Sequence, residues 1–391
     1  MITAEEARML LFTHVRTLGH RSVPLGEASG LFLAEYVSAP YPHPRFDNSA
    51  VDGYAFAFDA ARDHWKVVGV ASAGSLFPLP LEPGECVRIF TGAMLPQGAD
   101  TVVMQEHVQR TGDAMTHTDE RLRKGGNVRR TGEQIQEGED VLLVGQQLTA
   151  EAIGLLASVG VRDVVVSNRP SVVVVVTGDE FADPGAPAEG TIFSSNDVML
   201  QAALQREGLH CAVWRCRDDR EALSRMLTAA ALEHDLVITT GGVSVGDHDH
   251  VRPVLDDLGA TIHFHGVAQK PGKPMLFAAL NGTPVFGLPG NPRAVMILFW
   301  MYVLPYLHRM QRAADPGLLI DHLPIAHDVL LKGARAEYRA GRVHNGRVIL
   351  LADEGSHMLR SLVDAEVLVY FPAAMRTVNA DDPVEVHHLP R

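Results

Sequence analysis

The chain has 391 residues, of which 46% are hydrophobic and 21% charged, the balance of an ordinary globular protein too long for a single core. Its formal charge of -13 excludes a broad electrostatic grip on nucleic acid, so an anionic ligand needs a local basic or amide-rich site. The three cysteines, Cys86, Cys211 and Cys216, include no C-x-x-C pair, which indicates a reducing compartment, no zinc-finger framework and buried small hydrophobes.

Thr3 and Glu6 form a capping-box pattern ahead of Leu10, Leu11, Val15 and Leu18, which share one helical face. The same acidic start lacks the basic flank and cleavage site of a signal peptide, so a cytoplasmic location is expected. Pro40, Pro42 and Pro44 then interrupt any regular element. From Trp65 to Val108, short alternating runs between Gly and Pro turns predict a small β domain, and Arg121 to Asn127 an exposed loop. A capped helix is predicted from Thr149 to Gly160, packed beside the first helix.

The character changes at Pro170. The β-branched run from Ser171 to Val176 marks a strand covered on both faces. Asn196 is placed to cap a helix reaching about Glu207, with Gly208 as its stop. A helix near Arg220 to His234, strands at Asp235 to Ile238 and Pro284 to Phe286, and a helix from Pro292 continue the alternation. That order predicts an open parallel α/β sheet. The longest apolar run, Val295 to Leu307, is too short for a bilayer and contains Pro305, so it reads as a buried or interface helix and no membrane partner is expected. From Gly317 the pattern returns to β runs and predicts a terminal, barrel-like β domain.

Three predicted strands run directly into Gly-rich turns: Thr177 to Glu180, Thr239 to Asp247, and Gly287 to Pro292. In a parallel sheet such turns share one carboxyl edge, where open α/β folds bind ligands. Gly241, Gly242, Ser244, Gly290 and Asn291 are therefore candidate contacts to a phosphate or other oxyanion, with Pro292 leaving the next amides facing the loop. Lys270 and Lys273 flank a Pro-Gly turn, reading either as a point-charge clamp for phosphate or another tetrahedral oxyanion or as a solvated turn. Asp179, Glu180, Asp247 and Asp249 lie near these loops, and Asp47 and Asp52 far upstream. Hydrolysis of a phosphoanhydride commonly uses Mg2+ held by such oxygens. The pairs His248/His250 and His263/His265 leave a zinc site open beside the plainer reading of loop histidines.

These segments resemble, in order, the MoeA/gephyrin family of molybdenum-insertion enzymes. The likeness is carried by Phe46 to Ala55, Arg88 to Ala93, Gly98 to Val103 with Gln105-Glu106, Asn127 to Arg130, Thr177 to Glu180, Ser195-Asn196, Thr239 to Asp249, Lys270 to Pro274 and Gly287 to Pro292. The resemblance implies an elongated, multidomain α/β plus β chain with a three-layer parallel molybdopterin-binding domain. Its expected divisions are 1–45 with 139–169 as a discontinuous helical linking domain, 46–138 as the inserted β domain, 170–314 as the α/β domain and 315–391 as the C-terminal β domain. It further implies a transferase that inserts molybdate into adenylylated molybdopterin, releases AMP, depends on Mg2+ and receives its substrate from a molybdopterin adenylyltransferase. The family's cleft lies between the subunits of a homodimer, which implies catalytic roles for Asp52, Thr91, Glu180 and Asp249. Substrate contacts at Asn196, Lys270 and Lys273 join the loop residues, and Asp52, Asp179, Glu180, Asp247 and Asp249 are the implied metal ligands.

Two departures stand out. Gln134 replaces the family's usual acid after Gly132-Glu133, and a neutral amide supplies no charge to a cation. Arg293-Ala294 replaces the common Val-Ser or Val-Ala, so Arg293 either strengthens anion binding or marks a changed substrate. A non-catalytic pterin-binding scaffold is the main rival, favoured by Gln134. A molybdopterin adenylyltransferase is the second; it would consume ATP, and such chains lack the flanking β domains.

Overall fold

The computed structural model describes residues 1–182, 185, 188–243, 249–352 and 354–390. Ala4–Thr13 begins with the capping box: Glu6 N–H donates to Thr3 Oγ1 at 3.1 Å, and Thr3 N–H to Glu6 Oε2 at 2.8 Å. Its buried stripe, Ala4, Ala7 and Leu11, joins the central core with Val172, Phe277 and Met310. The helix Ala150–Ser158 packs elsewhere, through Leu156 against Val23, Leu33, Val164 and Val166. The predicted pairing of these two helices is therefore corrected. The small side chains of the first stripe admit it close to the Leu304–Met310 helix instead.

His20–Pro24 pairs antiparallel with Asp163–Ser167, and Val37–Ser38 with Asp140–Leu142. The chain thus leaves and re-enters one small unit. Between these ladders lies a six-stranded sheet in the order Thr101–Met104, Gly53–Phe56, Glu85–Ile89, Trp65–Ala71, Ala114–His117, Val108–Thr111. Gly53 is fixed by close approach: a Cβ there would lie 1.9 Å from the carbonyl oxygen of Val103. Gly53→Ala should cost about 3 kcal/mol of stability by forcing two strands apart. An unchanged urea midpoint would contradict this packing.

The central sheet runs Cys211–Cys216, Val172–Thr177, Leu236–Thr240, Thr283–Leu288, Leu276–Leu280, Thr261–His265. The first four strands are parallel, Leu276–Leu280 runs against them, and Thr261–His265, antiparallel to that strand, returns to the common direction, so the sheet is mixed rather than wholly parallel. The cause is local. Asn281 and Gly282 have φ of 52° and 84°, the pair of positive values a two-residue hairpin needs, and Asn-Gly supplies them at least cost. Asn196–Arg206, Pro292–Leu298 and Leu304–Met310 cover one face, and Arg220–Glu233 and Val251–Asp257 the other, giving three layers.

The buried run from Val295 to Leu307 is helical but changes pitch, with a π turn at Phe299–Val303. Pro305 has no N–H to return to Met301, which removes one α-type bond at that place. The C-terminal sheet has the order Gln269–Lys270, Ala336–His344, Val367–Phe371, Pro383–His388, Ile320–Pro324, with Arg347–Leu350 also on Ala336–His344. One face packs Ala336, Tyr338, Ala340 and Leu368 on the central core, and the other gathers Ile325, Val348, Val369 and Val386. Its edge strand Gln269–Lys270 comes from the central region and pairs parallel with Ala336–Glu337. Among the described residues no helix is long and apolar enough to cross a membrane.

Candidate active site

The parallel register sets the ends of Val172–Thr177, Leu236–Thr240 and Thr283–Leu288 side by side, so their Gly-rich turns share one edge. The turns touch. Thr177 Oγ1 donates to Thr240 O at 3.4 Å, and Gly241 N–H to Leu288 O at 3.1 Å. Gly241 and Gly242 have φ of 88° and 65°, which side-chain-bearing residues rarely adopt. Asn196 was expected to cap its helix; instead Ser195 holds the cap position, without a side-chain bond. Asn196 Nδ2 donates 2.8 Å to Gly290 O and so ties this helix to the third turn. Asn291 precedes Pro292 at the helix start, as the sequence predicts. Asp249 is half-buried just before Val251–Asp257. Ser244, Asp247 and His248 lie outside the described residues.

A cavity of about 520 Å³ opens between the lysine turn and the C-terminal sheet, lined by Lys270, Lys273, Asn291, Arg335, Arg339 and Glu354 among others. Arg335 and Arg339 escaped the sequence reading. Their signal is the alternation Arg335, Glu337, Arg339 against Ala336, Tyr338, Ala340, which sends the charges to one face of a strand. Arg339 Nε and Nη2 donate to Glu337 Oε2 at 2.9 and 2.7 Å, and Nε lies 3.5 Å from Glu354 Oε2. Four cations face two carboxylates around this cavity, which suits a small, doubly charged oxyanion.

Burial pushes the Glu354 carboxyl above the ordinary range, against the pull of Arg339, Arg293 and Lys270. Its Oε1 is buried and makes no hydrogen bond among the described residues. In the window from the ordinary carboxylate range up to the raised value, the folded state binds more protons than the unfolded one, so stability falls as pH rises through it. The negative charge gained there also opposes an anion. Oxyanion binding, read by calorimetry, should weaken as pH climbs through that window, and Glu354→Gln should flatten the profile and tighten binding. A variant that tracks the wild-type pH profile would contradict the assignment.

Arg293 does not line this cavity. It is buried; its Nη1 donates to Ser361 Oγ and its N–H donates 3.2 Å to Ser356 O. In place of the anion-binding reading, Arg293 ties the Pro292–Leu298 helix to the C-terminal region, since its buried guanidinium is engaged by Ser361 and is not among the cavity-lining residues.

A second cavity, about 600 Å³, lies farther along the same edge beside Gly178, Asp179, Phe181, Arg215 and Arg217. Arg215 Nη2 donates 2.8 Å to the buried Asp197. Burial alone would raise that carboxyl, but Arg215 and Ser194 hold it below the ordinary range. Glu180 is exposed and folds back over its own turn: a Cβ on Gly178 would lie 2.1 Å from Glu180 Oε2.

Asp52 and Thr91 lie in turns beside the strands Gly53–Phe56 and Glu85–Ile89 of the inserted sheet and line neither cavity. Thr91 N–H and Oγ1–H donate to Asp52 Oδ1 at 2.8 and 2.7 Å, and these bonds hold the carboxyl below its ordinary range. Asp47 is already engaged: Arg130 Nη1 lies 2.7 Å from Oδ2, and Thr131 N–H donates to Oδ1 at 2.8 Å. Gln134 is exposed on the following turn. The histidine alternatives separate. A register shift between Ile262 and Phe264 breaks the two-residue alternation; His263 stacks on His14 at 3.8 Å, and His265 Nε2 lies 2.9 Å from Val243 O. Among the described residues no three His, Cys, Asp or Glu side chains form a metal-binding group.

A three-layer α/β domain with a cation-lined edge, an inserted β sheet before it and a β sheet after it define a multidomain ligand-binding class of protein. Family models cover nearly all of it: "MoeA N-terminal region (domain I and II)" matches residues 2–160, "Probable molybdopterin binding domain" 173–309, and "MoeA C-terminal region (domain IV)" 323–389. A protein named molybdopterin molybdenumtransferase from Nostoc is 33% identical over 386 residues, covering 94% of this chain and 88% of that one. One of the same name from Haemophilus influenzae is 33% identical over 375 residues, covering 93% and 92%. The crystal structure of molybdopterin biosynthesis moeA protein from Pyrococcus horikoshii OT3 superposes with a TM-score of 0.86 at 27% identity, over 100% of both chains. The chain belongs to the MoeA family.

Proposed function

We propose that the chain is a molybdopterin molybdenumtransferase, inserting molybdate into adenylylated molybdopterin and releasing AMP. One observation carries this: a cavity with a net cationic lining sits at the edge of a domain matched as molybdopterin-binding, beside glycine turns fit for phosphate. Lys270 and Lys273 hold the oxyanion, with the Glu337–Arg339 pair and Arg335 setting the local charge. The Gly241-Gly242 and Gly290-Asn291 turns, with little side chain in the way, let the phosphates approach the backbone. The pterin donor is an adenylyltransferase product, and the reaction is expected in the cytoplasm.

The carboxylates fit Mg2+ in kind. Asp179 and Glu180 offer hard oxygens at the edge, and Glu180 occupies the cradle over Gly178 that a Cβ would fill; Asp249 and Asp247 are the further candidate ligands. One or two carboxylates plus substrate phosphate are a usual Mg2+ set. When bound, the ion supplies charge neutralisation to the departing adenylate.

The remaining acid comes from a second copy. We infer a homodimer in which Asp52, kept ionised by Thr91, reaches the partner's cleft and accepts a proton from the attacking water. The divisions 1–45 with 139–169, 46–138, 170–314 and 315–391 are consistent with that arrangement, since the inserted sheet carries Asp52 away from its own cavity. Molybdate-dependent AMP release by the purified protein with Mg2+ tests the proposal; tight pterin binding without release would favour the scaffold reading that Gln134 raises, and ATP consumption the adenylyltransferase.

A further inference from the structure

Lys270 and Lys273 act together only if the turn between them is held, and the turn's own residues cannot hold it. Both side chains are exposed, Pro271 has no N–H to give, and Gly272 has a φ of 93° with Leu298 directly beneath it. The restraint comes from a buried pair outside the motif. Gln269 is 0% exposed; its Nε2 donates 2.9 Å to Pro271 O, and its Oε1 accepts from the hydroxyl of Tyr302, also 0% exposed. Tyr302 lies in the π turn of the buried helix. The backbone of the same residue is gripped from the other side, with Arg335 Nη1 donating 3.3 Å to Gln269 O. Val267 N–H donates 2.9 Å to Lys273 O and closes the loop.

We propose that Gln269 and Tyr302 are positioning residues that set the spacing of the two lysine ammoniums, and so set the affinity for a tetrahedral oxyanion. A buried amide whose donor and acceptor are both used has one rotamer; remove either bond and the turn regains freedom that oxyanion binding must then remove. Neither residue touches the oxyanion, so both act on ground-state binding rather than on the chemical step. The inference rests on the proposed reading of this cavity as the molybdate site.

The test uses the full-length protein, with Gln269→Met, Tyr302→Phe and the double variant. Molybdate Kd is read by calorimetry, alongside KM and kcat for AMP release and the thermal midpoint. Each single variant should weaken molybdate binding about tenfold, with kcat within about twofold, and the double variant should be little worse than either single one, because both cut one chain of bonds. Unchanged Kd and KM, additive losses, or loss of kcat alone would overturn the proposal. Tyr302→Phe removes a single oxygen and decides the matter if Gln269→Met does not fold. A wild-type protein that binds molybdate but releases no AMP would sink the functional reading and leave the calorimetric test standing.

Discussion

Asp52→Asn should reduce molybdate-dependent AMP release by at least about a hundredfold, the low end of what a positioned acid or base contributes, while leaving the thermal midpoint near wild type. The Asp52 carboxylate accepts two bonds from Thr91 through one oxygen, and the amide oxygen of asparagine can still accept both. The geometry survives; the charge and the second basic oxygen do not. Thr91→Ala should give a milder loss, since the backbone bond from residue 91 remains. If the cleft is shared between subunits, Asp52→Asn co-expressed with Lys273→Ala should recover activity at molybdate concentrations far below the raised KM of Lys273→Ala, where that variant's own homodimer contributes little. Random pairing gives half mixed dimers with one intact site each, so about a quarter of wild-type activity is expected. No recovery would place Asp52 and Lys273 in the same subunit's site.

Lys273→Ala should raise the molybdate KM by about tenfold to a hundredfold at low salt, with kcat largely retained. The change removes one charge-assisted contact of the kind worth roughly 1.5–3 kcal/mol. Because Lys273 is exposed, added salt should narrow the gap between wild type and variant. The loop itself should persist, as its closure uses the Lys273 carbonyl and not its ammonium. An unchanged molybdate requirement would contradict the clamp.

The sequence and the structure agree most where short-range rules dominate. The capping box at Thr3, the N-cap at Thr149, the buried valine run and the three strand-to-glycine turns are legible because each depends on a few neighbouring residues. Partners across space were not. Nothing local says that Ala4–Thr13 docks on the central core while Ala150–Ser158 docks on Val164 and Val166. The reversed strand of the central sheet is written locally at Asn281-Gly282, whose positive φ values suit a two-residue hairpin. For the site, the lysine turn is readable as a motif, whereas Arg335 and Arg339 arrive at a separate strand more than 60 positions later and reveal themselves only by their alternation. Between Ile262 and Phe264 the register shifts, a bulge at His263 that a period-two count does not see. Arg293 looked like an anion ligand from its place at a helix start, but a long side chain can leave that place entirely.

The most direct measurement follows AMP release from adenylylated molybdopterin with Mg2+, with and without molybdate, and assays the product by activation of an apo-molybdoenzyme. Release that requires molybdate and yields active cofactor is the expected result. Pterin binding with no molybdate-dependent release would contradict it, and would make the exposed Gln134 the place where the chemistry was lost.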